Sequence, residues 1–149
     1  MKKVAAKVAE IAVSYKPKNS ENPVIGNSRE AYDVLLQFFP AKTLALQERF
    51  VAMYLNRSNR VIGVYPMSIG GITGTVVDIR LLFSVALKIA ATGIILGHNH
   101  PSSNLQPSGV DKQLTNKIKD SCSLLDLQLM DHLIITAESY LSFADEGHL

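Results

Sequence analysis

The chain has 149 residues, 47% of them apolar and 19% charged, with a formal net charge of +2 from 15 basic and 13 acidic side chains. That is the size and make-up of one globular domain with a real core, and so small a charge excess does not argue for a nucleic-acid partner, which needs a clustered basic footprint. No apolar run reaches the roughly 18–20 residues of a membrane span, and the single cysteine, Cys122, excludes an internal disulfide and every zinc pattern built on two or more thiolates.

Lys2, Lys3, Lys7, Lys16 and Lys18 crowd the first 18 residues and read as a solvated tail. The opening MKKVAAKVAEIAVSY resembles a secretory signal only briefly. Lys7 and Glu10 break its apolar stretch and no cleavage site follows, so a cytoplasmic protein is expected. Residues 8–16 alternate loosely enough for a strand, and a loop rich in Pro, Asn, Ser and Gly runs to Asn27. Residues 1–27 thus read as a lead of strand and loop, and 28–149 as the domain. Ser28 is expected to cap a helix ending near Phe39, with Glu30 two positions on, where a capping box wants three. Pro40 stops it.

Residues 48–56, ERFVAMYLN, read as a strand, with Phe50, Ala52 and Tyr54 on one face and Val51, Met53 and Leu55 on the other. Arg57-Ser-Asn-Arg60 is a polar turn into a second strand over 61–67, giving a hairpin. The glycine-rich stretch 68–75 lacks phosphate-loop spacing. Asp78 caps a helix over about 79–91, stopped by Gly93. Gly93–Gly97 is wholly apolar, as a central strand covered on both faces would be. Ser108 opens a helix to about Leu125 that buries Cys122, and strands are expected over 127–136 and 140–143. The fold class is α/β, a mixed central sheet with helices on both sides.

The central strand ends at His98-Asn-His-Pro101. Residues two apart on a strand face the same way, so His98 and His100 aim at one point. With Ser108 as N-cap, Asp111 falls at the third helical position and faces back toward the strand end. Two imidazoles and a carboxylate make three ligands and leave a fourth tetrahedral place for water, the pattern of catalytic zinc. Two alternatives stay open on spacing alone. Ser108-Gly-Val-Asp111 is also a plain helix cap, and a histidine at a strand end is often structural.

His98-x-His100, seven residues, Ser108, two residues, Asp111 resembles the signature of the JAMM (MPN+) zinc metalloproteases. The flanking words narrow it. IILGHNHP at 94–101, Pro107-Ser108, Asp131-His132-Leu-Ile-Ile135 and Ser142-Phe-Ala-Asp-Glu-Gly147 look like the RadC branch. The resemblance implies a JAMM/MPN fold related to that of the cytidine deaminases, with one zinc on His98, His100 and Asp111. It implies that Ser108 stabilises the oxyanion and that Glu48, at the start of an upstream strand, is the general base. The activity implied is a zinc metallopeptidase cleaving a peptide or isopeptide bond, with a peptide or protein substrate.

RadC proteins are associated with DNA repair, so a nucleic-acid-binding protein or metal-dependent nuclease is the alternative, which the charge pattern does not support. A degenerate scaffold conflicts with the intact ligand set, and a base deaminase would need cysteine ligands and a His-x-Glu motif. Longer RadC proteins carry helix-hairpin-helix elements ahead of this region, and residues 1–27 have none, which puts their DNA contact in doubt here. Ser103 stands where RadC proteins commonly have Gly. Asp131 and His132 are candidates to support the ligands, but a structural His132 is at least as good a reading. His148 is expected to be solvated. No membrane partner is expected, and assembly is left open, a homodimer being one option.

Overall fold

A computed structural model describes residues 7–17, 21–71 and 76–149. Its elements are α1 (Ser28–Leu35), β1 (Arg49–Leu55), β2 (Val61–Ile69), α2 (Ile79–Lys88), β3 (Gly93–Asn99), α3 (Gly109–Leu124), β4 (Gln128–Ile135) and β5 (Tyr140–Ser142), with a 3-10 turn at Leu36–Phe38. The strands form one mixed sheet of five in the order β2-β1-β3-β4-β5. Only β3 and β4 run parallel; the other neighbours are antiparallel. The expected α/β class is what the chain adopts.

Both faces of the sheet are covered, which is why β1 and β3 are buried along almost their whole length. Phe50, Ala52 and Tyr54 of β1 and Ile94 and Leu96 of β3 pack against Leu82, Phe83 and Ala86 of α2 and Ile118 and Cys122 of α3. Val51, Met53 and Leu55, with Ile95, pack against Ala31, Tyr32 and Leu35 of α1. Period-two alternation thus divides one apolar strand between two cores. Cys122 is buried, and desolvation pushes its thiol up to about 11. Among the described residues, no helix is long and apolar enough to cross a membrane.

Three local readings need correction. Residues 8–16 form no strand; Val8, Ile11 and Val13 are exposed, and among the described residues no strand pairs with them. The first helix is capped by Asn27, not Ser28. Asn27 Oδ1 accepts from the Glu30 amide at 3.0 Å, and the Glu30 carboxylate reaches back to the Gly26 amide at 2.6 Å. Moving the cap by one residue puts Glu30 at the third helical position, where its carboxylate can do this. The third correction is at α2, which ends at Lys88, before Gly93. Ala90 takes a left-handed φ of 52°, and the Ala91 and Ala90 amides turn back to the carbonyls of Ala86 and Leu87. That hydrogen-bond pair closes the helix without a glycine. Of the glycine-rich stretch, residues 72–75 lie outside the described residues.

Candidate metal centre

β3 sets the site. Its register places His98 opposite Phe50 of β1 and opposite Ile134 of the parallel β4. His98 therefore shares the face of Phe50, Ile94 and Leu96, toward α3, and is 1% exposed. His100 follows just beyond the strand end. The loop after it turns at once, with the Ser103 amide donating to the His100 carbonyl at 2.9 Å. α3 then starts so that its first turn faces the carboxyl ends of β3 and β4. This is the end of a parallel strand pair where α/β proteins gather their ligand sites.

The start of α3 is a capping box. The Asp111 amide donates to Ser108 Oγ at 3.0 Å, and Asp111 Oδ2 accepts from the Ser108 amide at 2.8 Å. The same carboxylate also faces the imidazoles. Asp111 Oδ1 lies 3.3 Å from His98 Nε2, and Oδ2 lies 3.2 Å from His100 Nε2. The capping and ligand readings of Asp111 are therefore compatible, because a carboxylate has about four acceptor sites to share. His98 Nε2 and His100 Nε2 stand 2.9 Å apart. Among the described residues, His98, His100 and Asp111 are the group able to hold a metal ion.

The donor chemistry favours a cation. His100 Nδ1 is 2.6 Å from the Asn104 carbonyl, which can only accept. Nδ1 therefore carries the proton, and the lone pair of the neutral ring sits on Nε2. A lone pair on His100 Nε2 that faces the Asp111 carboxylate at 3.2 Å needs a positive centre beside it, a proton or a metal ion. The local electrostatics agree. Desolvation acts to raise Asp111, but hydrogen bonds from His100 and His98 outweigh it and hold the carboxyl far below the ordinary range. His100 is raised, chiefly by its bond to Asp111.

Glu48 precedes β1 and extends the hairpin. Its amide donates to the Gly71 carbonyl at 3.0 Å, and its carbonyl accepts from the Gly70 amide at 2.8 Å. Continuing the pairing of Phe50 with His98 by two residues sets Glu48 opposite His100. The carboxyl is half-buried and raised mainly by desolvation, while His98 and His100 pull it down and Asp111 adds to the rise. Glu48 thus feels all three candidate ligands. Ser108 is exposed at the rim, and its hydroxyl oxygen is already engaged by the Asp111 amide, which leaves the hydroxyl proton free to donate.

Three further residues build the site. Asn99, the residue between the histidines, points to the opposite face. Its amide nitrogen donates to the carbonyls of Leu44 and Gln47 at 2.7 and 3.0 Å, and its oxygen accepts from the Arg49 amide at 2.7 Å. It ties down the loop that carries Glu48. His132 Nε2 lies 2.7 Å from His98 Nδ1, and His132 Nδ1 lies 2.7 Å from Thr115 Oγ1. Its ring is stacked on Phe143 at 4.7 Å and meets the edge of Phe50 at 5.5 Å. Burial drives His132 well below the ordinary imidazole range. Asp131, its neighbour, faces away and binds Ser142 Oγ and the Ala144 amide. Of that pair, only the histidine touches a ligand. His148 is exposed.

A mixed-sheet α/β domain with two imidazoles and a carboxylate converging at parallel strand ends defines a class, that of domains with a candidate metal site at the strand ends. A family model described as a RadC-like JAB domain matches residues 25–148. The chain belongs to that family. It is 54% identical over 100 residues to a UPF0758 protein of Flavobacterium johnsoniae, covering 67% of this chain and 44% of that protein. It is 43% identical over 103 residues to one of Streptococcus gordonii, covering 69% and 46%. A third, from Porphyromonas gingivalis, is 41% identical over 126 residues, covering 84% and 54%. The chain spans about half the length of these curated relatives, and their names specify no activity.

Proposed function

We propose that this domain is a zinc-dependent metallopeptidase that cleaves a peptide or isopeptide bond. The observation that carries the proposal is the convergence of two Nε2 atoms and the Asp111 carboxylate at 2.9, 3.2 and 3.3 Å. Ligand atoms about 2.0–2.1 Å from a tetrahedral zinc are separated by about 3.4 Å; each imidazole nitrogen meets one oxygen of the Asp111 carboxylate near that spacing, His100 through Oδ2 and His98 through Oδ1. Two nitrogens and one oxygen suit zinc, and three protein ligands leave one position open.

When bound there, zinc supplies a water of lowered pKa and polarises the scissile carbonyl. The chain's own residues do the rest. Glu48, kept partly desolvated beside the histidines, accepts the proton of the attacking water and passes it to the leaving nitrogen. The Ser108 hydroxyl donates to the carbonyl oxygen as negative charge develops on it. Asn99 holds the loop before Glu48 so that the carboxyl stays in reach.

A Glu48→Gln variant tests this. It should bind zinc at the wild-type stoichiometry and lose peptide hydrolysis by about 100-fold or more, the usual worth of a general base. Equal hydrolysis by that variant removes Glu48 from the mechanism.

A further inference from the structure

The hydrogen bonds behind His98 form a chain whose direction is fixed by chemistry. Thr115 Oγ1 lies 2.6 Å from the Asp111 backbone carbonyl. A carbonyl can only accept, so the one hydroxyl proton of Thr115 is used there. Toward His132 Nδ1, at 2.7 Å, Thr115 Oγ1 can then only accept, and Nδ1 must carry a proton. His132 is 0% exposed between Phe50 and Phe143 and has no carboxylate as a hydrogen-bond partner, so its ring is neutral. Its lone pair therefore sits on Nε2, which faces His98 Nδ1 at 2.7 Å. His98 must donate from Nδ1, and Nε2 is the nitrogen left facing His100 and Asp111.

We propose that His132 and Thr115 are positioning residues of the metal centre, which lock His98 in the Nδ1–H tautomer and tie that choice to the backbone carbonyl of Asp111. The relay starts and ends on ligand residues. The residue that supplies the carboxylate also fixes, through two intervening side chains, which nitrogen of His98 is bare. His100 reaches the same tautomer through the Asn104 carbonyl. Both imidazoles thus keep their Nδ1 protons, and Nε2 is the nitrogen each turns toward the shared cation, a proton or a metal ion. The role of this arrangement in metal binding rests on the zinc reading above, but the tautomers themselves do not.

The test is nitrogen-15 NMR of the histidine rings in the metal-free wild-type protein, paired with zinc affinity by chelator competition. His98 and His132 should both show a protonated Nδ1, and His132 a bare Nε2. Thr115→Val, which keeps the shape and removes the hydroxyl, should release the His132 tautomer and weaken zinc binding about 10-fold or more, with Thr115→Ser restoring both. His132→Phe should weaken zinc about 10- to 100-fold, and His132→Gln, whose carbonyl can still accept from Nδ1–H, should recover part of that. A bare Nδ1 on wild-type His98 overturns the proposal. So does a Thr115→Val protein with unchanged tautomers and zinc affinity, whatever its melting temperature. Failure of the zinc reading looks different: the predicted tautomers would be present, with no zinc bound by the wild type.

Discussion

Replacing Asn99 by Leu keeps its branched heavy-atom framework and removes every hydrogen bond its side chain makes. The side chain is buried, and its partners are the Arg49 amide and the Leu44 and Gln47 carbonyls, at 2.7, 2.7 and 3.0 Å. A buried backbone group left without a partner costs about 1–3 kcal/mol. Leu44 lies inside, whereas Gln47 is only half-buried and can recover part of its loss from water. The sum is about 3–5 kcal/mol. For a domain of this size each kcal/mol is worth about 2–4 °C, so the midpoint should fall by about 10 °C. Thermal unfolding followed by circular dichroism reads this directly. The Asn99 side chain points away from the ligands, so zinc stoichiometry at low temperature should be retained. Hydrolysis should fall, because the loop before Glu48 loses its tether. A midpoint within about 2 °C of wild type, with full activity, would refute the assignment of Asn99 as the anchor of that loop.

Ser103 holds a left-handed φ of 63° beside the site. Ser103→Gly should relieve this strain and, after the entropy that glycine adds to the unfolded chain, stabilise the protein by about 0.5–1 kcal/mol in a denaturant titration. Gly97→Ala should destabilise by about 1–3 kcal/mol in the same assay, because a Cβ there would come within 3.1 Å of Leu35 Cδ1 and 3.2 Å of Ile135 Cδ1. Zinc must displace the proton that Asp111 helps to hold on His100, whose pKa is raised in the folded state. The rise in melting temperature on adding zinc should therefore shrink as pH falls through that raised pKa and grow as pH rises through it, by up to about 1.4 kcal/mol of binding per pH unit for one proton. A zinc-induced shift that stays constant over this range would contradict the ligand role of His100.

The sheet was legible because β1 and β3 are apolar on both faces and the hairpin turn is polar, so pattern and length pointed the same way. The metal group was legible for a local reason. His98 and His100 are two apart on a strand, and Asp111 is placed by a capping box whose spacing can be read directly. What escaped was non-local. The contact of His132 with His98 depends on the register of the parallel pair β3 and β4, and nothing near residue 132 encodes that register. Asn99 is hidden for a similar reason: alternation sends its side chain to the face opposite the ligands, onto a loop with no periodic signal. Glu48 was identified through its family resemblance, since a carboxylate before a strand is ordinarily a solvated charge. The early strand over 8–16 failed because alternation supplies a face but no neighbour to pair with. The cap of α1 was missed by one residue because Asn27 and Ser28 are both good caps, and only the reach of the Glu30 carboxylate separates them.

The central claim is that His98, His100 and Asp111 hold one metal ion. Elemental analysis of the purified wild-type chain, beside folded His98→Ala and Asp111→Ala variants, tests it most directly. About one zinc per chain in the wild type, lost in both variants, is the predicted result. A folded wild-type protein that takes up no metal, or variants that keep a full equivalent, would contradict it.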